Sequence, residues 1–167
     1  QLYKSQAEES WLVLGFRLTG IRDLIEGVLP KVRGPARYTG GEPGETKKDH
    51  SSVDVLFALA FPDVYEVGMS NLGIRILYHT LNRRQDTAAE RVFAPAADME
   101  HEMREAHLPL YALESMVPIR GFDIIGFSLA YELTYTNVLN MLDLAGIPLR
   151  SSQRDESHPL IIAGGHC

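Results

Sequence analysis

The stretch that decides the fold is Phe57-Ala-Leu-Ala-Phe-Pro-Asp-Val-Tyr-Glu-Val-Gly-Met-Ser-Asn-Leu-Gly73, which continues into Ile74-Arg-Ile-Leu-Tyr-His-Thr-Leu81. An apolar run from Val55 to Phe61 has the length of a buried strand. A loop from Asp63 to Gly73 follows, with glycines at its middle and its end. The next apolar residues share one helical face, namely Leu72, Ile76, Leu77 and Leu81. A strand, a glycine-bearing loop and an amphipathic helix predict the start of a βαβ unit.

The same alternation of strand and helix continues to the end of the chain. Three further strands are predicted, at residues 90–94, 123–128 and 160–163. One helix is predicted over residues 95–107 with Met99 and Met103 on its inner face. Another has core-facing residues at Leu133, Val138, Met141, Leu142 and Ala145. This pattern predicts an α/β fold, a Rossmann-like (flavodoxin-like) parallel sheet flanked by helices, with the first strand between the second and the third.

An amino-terminal segment precedes this sheet. Leu18, Ile21, Ile25 and Leu29 are spaced for one face of a helix that Pro30 ends. Residues 32–52 are rich in Gly and Pro and are predicted to form a long loop. We therefore expect residues 1–52 to be a helix and linker loop and residues 53–167 to be the Rossmann-like domain.

Composition excludes several classes of protein. The net charge of −6 and the scattered basic residues argue against nucleic-acid binding. The longest nearly uncharged apolar run, residues 11–16, is far shorter than the ~20 residues of a membrane span. The single cysteine, Cys167, excludes an internal disulfide framework and leads us to expect a cytoplasmic protein. The absence of Met at the start, and an end directly after a strand, favour a piece of a longer protein.

The carboxyl ends of the first, third and last strands should form a ligand crevice, because ligands of such sheets bind beyond the carboxyl ends. Its candidate side chains are Asp63, Tyr65, Glu66, Ser128, Tyr131 and Thr134. Candidate glycines, which would let a ligand approach the backbone, are Gly68, Gly73, Gly164 and Gly165. Asp63 and Glu66 have an alternative role as helix caps, and Tyr131 has one in packing. A nucleotide or flavin would need a phosphate cradle of backbone amides at residues 68–73. The histidines show no metal-ligand spacing and no catalytic triad can be assembled.

Three short motifs resemble those of cobalamin-binding domains. Asp63-Val-Tyr-Glu-Val-Gly68 resembles the D-x-H-x-x-G loop, Gly126-Phe-Ser128 the G-x-S segment, and Ile162-Ala-Gly-Gly165 the final I-G-G turn. Longer stretches resemble the amino-terminal part of a group of B12-binding-domain radical SAM proteins. These stretches are residues 35–42, 57–70, 110–115 and 127–148.

The resemblance implies that this segment holds base-off cobalamin and is not itself catalytic. It further implies a downstream radical SAM domain in the same protein, with a [4Fe–4S] cluster and S-adenosylmethionine. Tyr65 stands where the family has its histidine, and a phenol with a pKa near ~10 would have to ionise to bind cobalt well. An alternative is a cofactor-free domain that docks a substrate or a partner protein. That alternative predicts a closed apolar crevice, filled by Tyr65 and Tyr131.

Overall fold

In the part of the chain that the structure describes, four parallel strands form one sheet in the order β2-β1-β3-β4. They are β1 (Val55–Phe61), β2 (Thr87–Phe93), β3 (Ile124–Leu129) and β4 (Leu160–Gly165). The structure is a computed structural model that describes residues 18–166. The predicted α/β class and the predicted strand order are both confirmed.

Within residues 18–166, five α-helices flank this sheet. They are α1 (Leu18–Val28), α2 (Tyr65–Ser70), α3 (Leu72–Asn82), α4 (Ala97–Glu105) and α5 (Tyr135–Leu144). Short 3-10 turns lie between them, at Leu29–Lys31, Pro35–Tyr38, His50–Ser52, Ile119–Gly121, Glu132–Thr134 and Ser151–Gln153. None of the described helices has the length and apolar character that a membrane crossing requires.

The back face of the sheet, which carries α1, α4 and α5, holds the larger core. Ala58 and Ala60 of β1 and Ile125 of β3 lie in the same buried cluster as the helix residues. Met99 and Met103 of α4 are 0% and 1% exposed, which confirms them as inner-face residues. Small alanines in β1 leave room for these long side chains, because the packed layer must be filled without voids.

The front face of the sheet carries α2 and α3. Leu59 and Phe61 of β1 pack there against Ile74 and Tyr78 of α3, which are spaced one helical turn apart. The shared apolar face predicted for this helix is not its buried face, since Leu72, Ile76 and Leu77 are 65%, 55% and 45% exposed. Ile74 and Tyr78 occupy that face instead, because the Tyr78 hydroxyl finds a partner at the backbone of Thr46, which donates to it over 2.8 Å.

Three other local predictions need correction. Residues 63–73 are not one loop, because α2 occupies most of them and α3 starts at Leu72. Leu133 is 85% exposed in a 3-10 turn before α5, so it does not face the core. Gly164 and Gly165 do not turn away from the last strand but extend it, pairing with Ser128 and Leu129 of β3.

Residues 18–52 pack directly onto the sheet. Ile21, Ile25 and Val28 of α1 belong to the back-face cluster. The segment after α1 then crosses the β2 side of the molecule, where Lys48 Nζ donates to Thr87 O over 2.6 Å. The predicted boundary between residues 1–52 and 53–167 stays a prediction. The apolar run at residues 11–16 and Cys167 lie outside the described residues.

Candidate functional site

The carboxyl ends of β1 and β3 are joined by polar contacts. Tyr131 donates its hydroxyl to Asp63 Oδ2, and Asp63 Oδ1 accepts from the Val64 amide over 2.7 Å. Asn137 Nδ2 of α5 donates to Pro62 O over 2.9 Å. The hydrogen bond to Asp63 raises the pKa of the Tyr131 phenol. Tyr131 therefore links the segment after β3 to the end of β1, and the residue is 37% exposed.

Tyr65 lies on the opposite side of Asp63, toward β2. Its ring meets Phe93 edge-on with centroids 5.7 Å apart, and its hydroxyl donates to Glu42. Burial and the bond to Glu42 raise the pKa of Tyr65 to about 12. The phenol is therefore neutral near pH 7, and its hydroxyl proton is donated in a hydrogen bond to the Glu42 carboxylate.

Two of the candidate residues in α2 make contacts that support local structure. Glu66 pairs with Arg37, whose Nε lies 2.6 Å from its Oε1. Gly68 is buried, and a Cβ there would lie 2.3 Å from Phe93 Cε1. Its glycine identity thus allows α2 to approach the sheet closely.

Gly73 and Thr134 also lie close to groups of their own elements. A Cβ at Gly73 would lie 3.1 Å from Asn71 Oδ1. Thr134 is 2% exposed and donates from Oγ1 to Tyr131 O over 2.8 Å. Neither residue joins the Asp63–Tyr131 contact directly, although Thr134 holds the backbone of Tyr131.

Several backbone amides in and beside residues 68–73 are already hydrogen-bonded within the domain. The Gly68 amide donates to Val64 O and the Asn71 amide to Gly68 O, both over 3.1 Å. The Ile74 amide at the start of α3 donates to the Asn71 side chain, also over 3.1 Å. These three donors are used by helix and cap bonds, and the nucleotide interpretation of this segment stays a prediction.

Ser128 and Gly164 lie side by side on an uncovered part of the front face. Strand register places Gly126 opposite Ile162 and Ser128 opposite Gly164, with all four on the face of Leu59. Ser128 is half-buried, Ile162 is 44% exposed, and a Cβ at Gly164 would meet no atom within 4 Å. Gly126 is buried beneath Phe57, whose Cε1 would lie 2.7 Å from a Cβ there, so the exposed strip consists of Ser128, Ile162 and Gly164, which we call the β3–β4 trough. β4 is the edge strand of the described sheet, and Ala163 on its other face is exposed as well.

Gly165, the last residue of β4, pairs with Leu129 of β3. Its φ is 155°, and a Cβ there would lie 1.8 Å from Leu129 O. This position accepts only glycine, because any side chain would meet the β3 backbone. Gly165 must therefore be glycine for β4 to pair with β3, whereas Gly164 has no side chain that would fill the trough.

A buried ion pair that the sequence reasoning missed lies at the β2 edge. Arg91 Nε donates to Glu114 Oε1 over 2.5 Å, and the Arg91 amide donates to Glu114 Oε2 over 2.7 Å. The guanidinium carbon lies 4.5 Å from the Tyr78 ring centroid, and Nη1 donates to Met69 Sδ over 3.3 Å. Burial raises the pKa of Glu114, and Arg91 opposes that rise. Within the described residues, Arg91 Nη2 is buried without a hydrogen-bond partner.

Glu90, the neighbour of Arg91, makes a second polar cluster on the other side of β2. His50 Nε2 lies 2.5 Å from Glu90 Oε1, and Ser115 Oγ donates to Glu90 Oε2 over 2.5 Å. The adjacent charged residues Glu90 and Arg91, within the otherwise mostly apolar strand Thr-Ala-Ala-Glu-Arg-Val-Phe, are the sequence feature from which both clusters could have been predicted. Charged residues are seldom buried unless they are paired.

The stretches that carry the family resemblance converge on these contacts. Glu42 reaches Tyr65, Met69 reaches Arg91, and Glu114 pairs with Arg91. Residues 35–42, 57–70 and 110–115 are thereby brought together at one edge of the sheet. No group of three His, Cys, Asp or Glu side chains able to hold a metal occurs in the part of the chain that the structure describes.

Comparison with known proteins gives one match. Residues 73–167 match the family model described as radical SAM proteins, N-terminal. No curated protein and no solved structure matches the chain. The matched region contains Arg91, Glu114, Ser128 and Gly164, and it covers more than half of the chain. The chain therefore belongs to the radical SAM protein family, of which it carries the amino-terminal region.

Proposed function

We propose that this domain binds base-off cobalamin and presents it to the radical SAM part of such a protein. The β3–β4 trough is the observation that carries the proposal. It offers an open strip beside the carboxyl edge, where ligands of doubly wound sheets bind. Its floor has one hydroxyl, at Ser128, and a backbone free of side chain at Gly164.

The residues present fit the nucleotide tail of the cofactor better than they fit the cobalt. Ser128 and Gly164 would hold the tail, through a hydroxyl group and through close backbone approach. Tyr65 supplies no cobalt ligand, because its hydroxyl donates to Glu42 and its pKa is raised to about 12. When bound, cobalamin supplies cobalt-centred chemistry such as methyl transfer or rearrangement, and the chain binds and orients it.

A leucine at Gly164 tests this use of the trough. Because a Cβ at Gly164 meets no protein atom within 4 Å, Gly164→Leu should leave the fold intact and obstruct the strip. We expect the dissociation constant for hydroxocobalamin to rise by at least about tenfold. Gly27→Leu, at an exposed glycine of α1 with equally open surroundings, is the matched control. Equal affinity of the wild type and the Gly164 variant would remove the trough from the binding site.

A second candidate function is the docking of a substrate or partner protein without a cofactor. The bond from Tyr131 to Asp63, which links the segment after β3 to the end of β1, favours it. This candidate predicts that Tyr131→Phe leaves the crevice closed by packing and that hydroxocobalamin does not bind. The cobalamin proposal predicts binding, with Tyr131→Phe weakening it by less than Gly164→Leu, since Tyr131 lies outside the trough.

A further inference from the structure

The solvent side of α3 carries a stripe of side chains that mixes apolar groups and cations. Its members recur at helical spacing and line a shallow depression of about 330 Å³; they are Leu72, Arg75, Ile76, His79, Thr80 and Arg83. We call this set the α3 stripe. Leu72 and Ile76 are 65% and 55% exposed, although large aliphatic side chains stabilise a fold only when they are covered.

The two arginines of the α3 stripe are not neutralised by the domain itself. Within residues 18–166, Arg75 and Arg83 make no ion pair and no side-chain hydrogen bond, whereas Arg84 beside them pairs with Asp86. The chain has a net charge of −6, so acidic side chains are plentiful. Two unpaired cations beside the exposed Leu72 and Ile76 therefore mark a surface whose complement is acidic and apolar.

We propose that the α3 stripe binds an acidic amphipathic helix of a separate partner protein. Arg75 and Arg83 are eight residues apart on one helix, which separates them by about 12 Å along its axis. A partner helix with two carboxylates at that separation and aliphatic residues on the same face would match both charges and cover Ile76, which lies between the arginines, and Leu72, which precedes them. Helices pack in this way by fitting side-chain ridges into grooves.

Other occupants match the stripe less well. A second copy of the α3 stripe would bring arginines against arginines, which is repulsive. Nucleic acid and anionic lipid are bound through many cations, whereas the α3 stripe has two arginines and the whole chain has a net charge of −6. The small apolar area and the flanking charges allow the stripe to face water when the partner is absent, as a reversible interface requires.

Two synthetic peptides test the proposal on the whole chain. Both are helical by design, about 18 residues long, with the same leucine face. One carries two glutamates at the spacing of Arg75 and Arg83, and the other carries lysines at the same positions. By fluorescence anisotropy, we expect the glutamate peptide to bind at least about tenfold more tightly.

Variants then locate the contact. Ile76→Asp should weaken binding of the glutamate peptide by at least about tenfold, and the pair Arg75→Glu and Arg83→Glu should reverse the preference between peptides. Leu139→Asp on α5, where Leu139 is 49% exposed, is the matched control and should change nothing. Circular dichroism confirms that each variant is folded. The proposal would be overturned by equal affinity for both peptides, by binding that Ile76→Asp leaves intact, or by no peptide binding. Binding to phosphatidylserine vesicles alone, lost in the double arginine variant, would overturn it in favour of a lipid surface.

Discussion

The stability of the fold depends strongly on the buried ion pair between Arg91 and Glu114. Arg91→Met should destabilise the protein by about 3–5 kcal/mol, because Glu114 would remain as an unpaired buried charge. Adding Glu114→Gln should recover most of that loss, since glutamine is neutral and its oxygen still accepts from the residue 91 amide, as Glu114 Oε2 does. Urea unfolding of the wild type, of Arg91→Met and of the double variant measures these changes in the free energy of unfolding. A double variant as unstable as the single variant would contradict the assignment of the loss to an unpaired charge.

Tyr65 makes a second prediction, which concerns pH. Burial and Glu42 raise its pKa from 10.0 to about 12, so the neutral phenol is favoured in the folded state. Its contribution to stability is complete below pH 10.0 and is lost as the pH rises toward about 12. Glu42→Gln should lower the titration midpoint, because the carboxylate contributes to the rise. Carbon NMR of labelled tyrosines follows the midpoint, and Tyr65→Phe identifies the signal. An unchanged midpoint would mean that Glu42 has no such role.

At the scale of elements, α2 depends on Gly68 to reach the sheet. Gly68→Ala should cost about 1–3 kcal/mol, because the new methyl group would overlap Phe93 at 2.3 Å. Gly27→Ala in α1 is the control, since that position is open and alanine should stabilise the helix by about 0.5–1 kcal/mol. In thermal unfolding, the melting temperature should fall for Gly68→Ala and rise for Gly27→Ala. A stabilising Gly68→Ala would show that α2 is not held close by Phe93.

The elements also show what sequence patterns can predict. β1 was predicted with its observed bounds, because an uninterrupted apolar run admits few other structures. The apolar face predicted for α3 is not its buried face, and the inner face of the turn before α5 was mispredicted, since a helix with apolar residues on two sides does not reveal which side is covered. In α3 the buried side is the one that carries Tyr78, whose hydroxyl accepts a hydrogen bond from the amide of Thr46, 32 residues away in the chain.

For the whole molecule, strand order followed from the alternation of strands and helices and from right-handed crossovers. The candidate site was less predictable. Ser128 and Gly164 do meet in the trough, as expected for two strand ends of one parallel sheet. Arg91, Glu114, Glu42 and Glu90 were missed, because their pairing joins segments distant in the chain and no local spacing reveals it.

The most direct test of the account is a titration of the folded chain with hydroxocobalamin, followed by visible absorption. The account predicts saturable binding with a base-off spectrum, and with no histidine ligation until Tyr65→His is introduced. Absence of binding by a chain shown to be folded would contradict the cofactor proposal and favour the docking of a substrate or partner protein.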